Sequence, residues 1–569
     1  TAMSLGDANT ALTLTANTVL DTTGGNASAG GSLTLGGTVN GTTANTESLT
    51  LNAGSTGAVS VVGSVGQTTS LKTLTLTNSN GAVFNAPVTT GTSVVLADTT
   101  DGQTIRFADN LSTPVLTTTA NGYNLELLGS TTSVSAANTA TTFLNTGNLV
   151  LGNGAGDSLT FAGGVTATAP AAISAAGTIN TTNTAMSLGD ANTALTLTAN
   201  TTLSAGSGDI TLGGTVNDAT SGTQSLTLNS TGVTTLQAAV GNNAALSSVT
   251  TNTGGTLVMN GGAVTTTDLQ SYGEPATLGA ATTLTSTGSG AITFGSTLNG
   301  AQTLVVNTSG VTTFTGAVGD TTALTSLTTD AGTAGSVAIN AGVVNTTGAQ
   351  IYGEAATLGA ATTLTSTGSG AITFGNTLNG AQTLAINTSG ATTFTGAVGN
   401  TTALTSVTTD VGGSVAINGS VAINGGVVNT TGAQIYGEAA TLGAATTLTS
   451  TGSGAITFGN TLNGAQTLAV NTSGVTTFTG AVGDSTALTS LTTDAGTAGS
   501  VAINGGVVNT TGAQIYGEAA TLGVATTLTS TGSGAITFGN TLNGEQTLVI
   551  NTSGVTTFTG AVGDSTALT

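Results

Sequence analysis

Residues 284–319 read LTSTGSGAITFGSTLNGAQTLVVNTSGVTTFTGAVG, and the fold is decided by where the apolar side chains fall in this stretch. Leu284, Ile292 with Phe294, Leu298, Leu304 with Val306, Phe314 and Val318 come in short clusters six or seven residues apart on average. Inside a cluster the pattern alternates, as in Ile292-Thr293-Phe294, which is the period-two signature of a strand with one buried face. Between clusters stand Ser-Gly, Asn-Gly and Thr-Gly pairs, which make tight turns. No segment carries a sustained helical period.

The same block returns down the second half of the chain. Tyr-Gly-Glu recurs at Tyr272, Tyr352, Tyr436 and Tyr516, which delimits units of 80, 84 and 80 residues at 270–349, 350–433 and 434–513, with a partial unit at 514–569. The longer unit contains a local duplication, Gly-Ser-Val-Ala-Ile-Asn at 413–418 and again at 419–424. Fixed periods of this kind signal an array in which each unit buries its apolar face by stacking on its neighbours. The copies also act as an internal substitution test. Val306 becomes Ile386, Val470 and Ile550, whereas Val305 becomes Ala385, Ala469 and Val549. The first position keeps a large β-branched side chain and should face the core, and the second should face outward.

Leu284 to Leu304 and Phe294 to Phe314 are both 20 apart. This spacing predicts an all-β chain, a right-handed parallel β-helix (β-solenoid) with about 20 residues per coil and about 28 coils at the usual strand spacing. Each 80-residue unit would hold four such coils, or three longer ones, since Phe314 to Ile339 is 25 residues. Two regions are expected: divergent coils over 1–265 and the near-identical array over 266–569. Within the first, TAMSLGDANTALTLTAN at 1–17 recurs unchanged at 184–200.

Composition narrows the function. Among 569 residues there are 87 Gly, no Cys, no His and no Trp, with 38% hydrophobic residues. Thr and Val favour strands, and the apolar content is too high for a disordered chain. Lys72 and Arg106 are the only basic residues, against 23 acidic ones. That leaves no basic footprint for nucleic acid or anionic lipid. Thiol nucleophiles, imidazole bases, zinc sites and disulfides are excluded by composition. No run of about 18 apolar residues exists for a membrane-spanning helix, and no signal peptide is visible. Because 563–569 repeats 483–489, where the earlier copy continues, the chain reads as a segment of a longer protein.

Few residues invite a chemical role. Asp320, with Asn400, Asp484 and Asp564 at equivalent positions, reads as a turn former instead of a metal ligand. Glu274, Glu354, Glu438 and Glu518 are expected in a solvated turn that keeps the coil surface charged. With Tyr272, Tyr352, Tyr436 and Tyr516 they are the candidate repeated surface contact for a glycan, a surface receptor or a partner. Gly154-Ala155-Gly156-Asp157-Ser158-Leu159 loosely matches a calcium-binding glycine-rich repeat, but only once. Asn307, Asn387, Asn471 and Asn551 stand in Asn-Thr-Ser triplets, formal glycosylation acceptors whose main use is expected in turns. Threonines are scattered over strand positions, a weak basis for ice binding. No cofactor, catalytic residue or metal ligand is expected, and the chain is read as no enzyme.

The style of the coils, seen in GSGAITFGNTLNGAQTLAVNTSGVTTFTGAVG at 452–483, resembles the repeat regions of large bacterial exoproteins of the filamentous-haemagglutinin type and of autotransporter passengers. The resemblance implies an exported parallel β-helix at the cell surface or outside the cell. It would serve as the non-enzymatic shaft of an adhesive fibre, or as a laterally self-associating subunit of a sheath, surface layer or matrix.

Overall fold

The computed structural model describes residues 1–25, 29–330, 334–410, 419–494 and 498–569. It is all-β, with no helix among these residues, and its strands pair in parallel from coil to coil as a β-solenoid. The chain packs as two compact units, Thr1–Gly290 and Ala291–Thr569, whereas the change of sequence style falls near residue 265.

Strand formation follows the alternation read from the sequence. In Ile292–Phe294 the outer residues are buried and Thr293 is half-buried, and Thr303–Thr308 repeats the pattern over six residues. Val306, Ile386 and Val470 are buried, while Val305, Ala385 and Ala469 lie on the outward side of the same strands. The coils stack so closely that some turns admit only glycine. A Cβ on Gly454 would lie 2.1 Å from the carbonyl carbon of Gly432 in the preceding coil.

In the first unit one ladder runs Leu33, Val59, Ala82, Ile105, Leu125, Leu149, Ile173, Leu195, Val216. Its steps vary in length because the turns between strands differ, and the buried Phe84 and Phe107 rings stack at 4.7 Å along it.

The second unit is more regular, and three ladders form its faces. The first runs Ile292, Thr312, Val337, Ala356, Leu378, Val398, Val428, Leu448, Val470, Thr493, Tyr516, Phe538. The second begins Leu298, Val318, Val344, Leu364, Ile386, Thr409, Tyr436, Phe458. The third runs through Val306, Thr329, Tyr352, Phe374, Phe394 and Ile423.

These registers settle the coil length. Coils average about 22 residues, not 20, because longer steps such as Thr312 to Val337 alternate with the 20-residue ones. From the Ile292–Phe294 strand to its counterpart Ile536–Phe538, three repeats later, the first ladder takes eleven steps. One repeat therefore fills neither three coils nor four, but three and two-thirds. Successive copies of a residue consequently land on successive faces: Tyr352 on the third, Tyr436 on the second and Tyr516 on the first. The second copy of the Gly-Ser-Val-Ala-Ile-Asn duplication supplies the strand Ser420–Ile423; the first copy, at 413–418, lies outside the described residues.

Candidate functional site

The Tyr-Gly-Glu motif, expected at the surface, lies in the core. Tyr272, Tyr352, Tyr436 and Tyr516 are fully buried, and Glu274, Glu354, Glu438 and Glu518 are 1–2% exposed. The expectation of a solvated turn and of a repeated surface contact is corrected accordingly. The alternation that buries Gln434 exposes Ile435 and buries Tyr436, and the chain then turns inward at Gly437. Gly437 admits no side chain there, since a Cβ would lie 2.2 Å from the Asp410 carbonyl oxygen.

Tyr and Gln form a satisfied polar pair inside the core. The Tyr436 hydroxyl donates to Gln434 Oε1 at 3.0 Å. Gln434 Nε2 faces three acceptors: the Val428 carbonyl at 3.1 Å, Thr430 Oγ1 at 3.3 Å and the Thr449 carbonyl at 2.9 Å. Gln270, Gln350 and Gln514 repeat the arrangement. A buried amide with these partners costs little and locks three chain segments into one register. Burial pushes each tyrosine hydroxyl far above its ordinary pKa.

Each tyrosine also starts an aromatic stack. Tyr352 lies on Phe374 at 5.0 Å and Phe374 on Phe394 at 5.7 Å. Tyr436–Phe458–Phe478 and Tyr516–Phe538–Phe558 do the same. Each of these three repeats thus builds one Tyr-Phe-Phe stack on its own face.

The glutamates are the anomaly. Thr329 donates its hydroxyl to Glu354 Oε2 at 2.8 Å, and Thr409 to Glu438 Oε2 at 2.6 Å, from the coil before. Thr251 does the same for Glu274. The other oxygen, Oε1, is buried and unpaired in Glu274, Glu354 and Glu438, and both oxygens are unpaired in Glu518. Burial raises the pKa of all four carboxyls, opposed by the threonine hydroxyl and raised further by a neighbouring acidic charge: Asp330 for Glu354, Asp410 for Glu438 and Asp494 for Glu518. Asn252 follows Thr251 at the corresponding place near Glu274.

The other candidates resolve into turn chemistry. Asp320 is exposed and its Oδ1 accepts the Thr321 amide at 3.0 Å. The same turn is capped from the coil before by Asn299 Oδ1, a role that Asn379, Asn463 and Asn543 repeat. These Asn caps escaped sequence reasoning, although Leu-Asn-Gly recurring in every unit is the signal that would have found them. Asp157 Oδ2 accepts the amides of Asn153 and Gly154, so its turn is closed on itself. Asn307 lies in a strand, not in a turn. In the equivalent triplet at Asn387 it is the buried Thr388 that closes the turn, accepting the Gly390 amide at 2.9 Å.

On the surface, Arg106 pairs with Glu126 at 2.5 Å beside a shallow depression lined by Val59, Val83, Gln103 and Thr104. Along the outward side of the third face the residues run Ile351, Thr373, Thr393, Ala422, Thr441, Asn463, a mixed row and not an unbroken threonine ladder. Among the described residues no three acidic side chains converge, and no helix is long and apolar enough to cross a membrane. No protein-family model, curated protein or solved structure matches this chain.

Proposed function

We propose that this chain is the non-enzymatic shaft of a secreted or cell-surface bacterial fibre with an adhesive or cell-contact role. The observation that carries the reading is the displacement of each repeat by one face. Equivalent outward residues such as Ile351, Ile435 and Ile515, each 37% exposed, are presented on three different faces in turn. A shaft that shows the same small contact in every direction can engage a glycan or a surface receptor whichever way it rolls, and linked weak contacts gain strength by avidity. The motifs rich in polar chemistry are spent inside the core on register.

The alternative is a structural subunit that associates laterally into a sheath, surface layer or matrix. Those exposed isoleucines, with Val311 and Val475 at 42%, favour it, since uncharged β faces pack readily on one another. Immuno-electron microscopy of producing cells with an antibody to one repeat separates the two. Label on fibrils gathered where cells touch a surface supports the shaft. Continuous label around the cell body supports the envelope layer, and label confined to the cell interior removes both.

A further inference from the structure

The buried glutamates pose a problem of charge that the chain itself does not solve. Residues 291–569 contain no Lys, Arg or His. A carboxylate buried there is neutralised only by a proton or by a cation from solution, and an uncompensated buried charge is costly.

At Glu438 the problem is doubled. Asp410 sits directly after Thr409, whose hydroxyl is bound to Glu438 Oε2. Asp410 is 7% exposed, and its backbone takes a φ of 37°. Asp410 Oδ1 accepts the Thr388 amide at 2.8 Å, and its Oδ2 is buried without a partner. Gly437, next to Glu438, packs on the Asp410 carbonyl. Two acidic side chains from adjacent coils, each nine-tenths or more buried, thus each keep one unanswered oxygen in the same corner of the coil. One shared proton would still leave a negative charge behind.

We propose that Asp410 and Glu438 form a binding site for a hard divalent cation of the calcium type. The pairs Asp330/Glu354 and Asp494/Glu518 repeat the residue set and extend it to one site per repeat. Carboxylate, hydroxyl and carbonyl oxygens are the ligands that calcium takes, in a flexible geometry that water completes. Magnesium demands stricter geometry and suits this corner less well. With two carboxylates per site the affinity belongs in the range of extracellular modules, about 10⁻⁴–10⁻³ M. Asn252 in place of Asp makes Glu274 a built-in comparison with one acidic ligand fewer.

The test uses the full 569-residue chain, stripped with EDTA and dialysed against calcium chloride, with bound metal counted and melting followed by circular dichroism. The expected result is up to three calcium ions per chain and a melting temperature that rises with calcium concentration, as ligand binding to the folded state requires. In the triple variant E354Q/E438Q/E518Q the response is expected to disappear, while the metal-free protein melts higher than wild type. The single variant Asp410→Asn should lower the count by one and serves if the triple variant does not fold. Two results overturn the proposal: no calcium bound at 10-fold above that affinity range (about 10 mM), or a calcium response that survives in the variants. Stabilisation by acid alone, with no metal bound, would assign the corner to a proton.

Discussion

Tyr352 and Phe374 stack at 5.0 Å with their planes 18° from parallel, 22 residues apart in the chain and one coil apart in space. Phe394 continues the column, so Phe374 has an aromatic neighbour on both sides. Replacing Phe374 by Ala removes both contacts and opens a cavity, at an expected cost of about 3–5 kcal/mol. Phe374→Leu should cost clearly less. Because repeat arrays lose cooperativity, hydrogen exchange over residues 350–400 is the measurement to use. Equal protection in both variants would contradict the column.

Tyr436→Phe deletes only the hydroxyl that Gln434 accepts, and about 1 kcal/mol is expected. Gln434→Leu is expected to be worse. It strips the Val428 and Thr449 carbonyls of their shared donor and leaves the Tyr436 hydroxyl buried without a partner. Limited proteolysis should therefore cut the Gln434→Leu chain near this coil well before the Tyr436→Phe chain.

The buried glutamates set a direction for pH. Their carboxyls are held above the ordinary value of 4.5, chiefly by burial. A raised carboxyl pKa means that the folded chain holds its proton more tightly than the unfolded one. The stability this contributes is full below the ordinary value and is lost as pH climbs through the raised one. In EDTA, acidifying from neutrality towards that ordinary value should thus raise the melting temperature. Glu438→Gln should flatten the slope and add about 1–3 kcal/mol at neutral pH in the absence of calcium. Exposed Asp7, Asp21, Glu47 and Asp190, whose pKa values are lowered by hydrogen bonds to threonine and asparagine neighbours, work in the opposite sense. The comparison is therefore variant against parent at each pH.

Close coil contact makes Gly454→Ala a sharp test of stacking. Its Cβ would meet backbone at 2.1 Å, which no rotamer change relieves, and a loss of about 1–3 kcal/mol is expected for such overpacking. An unchanged melting temperature and exchange pattern would mean that the coils lie farther apart.

What could be read from the sequence was what depends on near neighbours. Alternation in Ile292-Thr293-Phe294 gave the strands, and the contrast between Val306 and Val305 across copies separated core from surface. The coil length was misread because Leu284 to Leu304 and Phe294 to Phe314 are among the shortest steps. The place of Tyr-Gly-Glu could not be read for a related reason. Glu438 is buried beneath a threonine 29 residues earlier, a partner that becomes visible only when the register is known. A carboxylate beside glycine, taken alone, carries the mark of a surface turn.

Deleting residues 434–513 should leave every strand beside its normal partner, because the order of strands after the junction is unchanged. Removing half a repeat would not, and such a chain should lose exchange protection on both sides of the cut.

A repeat of three and two-thirds coils has a consequence for inheritance. When unequal recombination adds or removes one copy, the shaft changes length by about 18 Å at the usual 4.8 Å per coil, and whatever lies beyond the junction is also turned by a third of a revolution. Length and heading are thus coupled, like the advance of a screw. Alleles that differ by three copies point the same way, whereas those that differ by one or two aim the same distal surface in another direction. Copy-number variation in this chain is therefore a means of re-aiming as well as of lengthening.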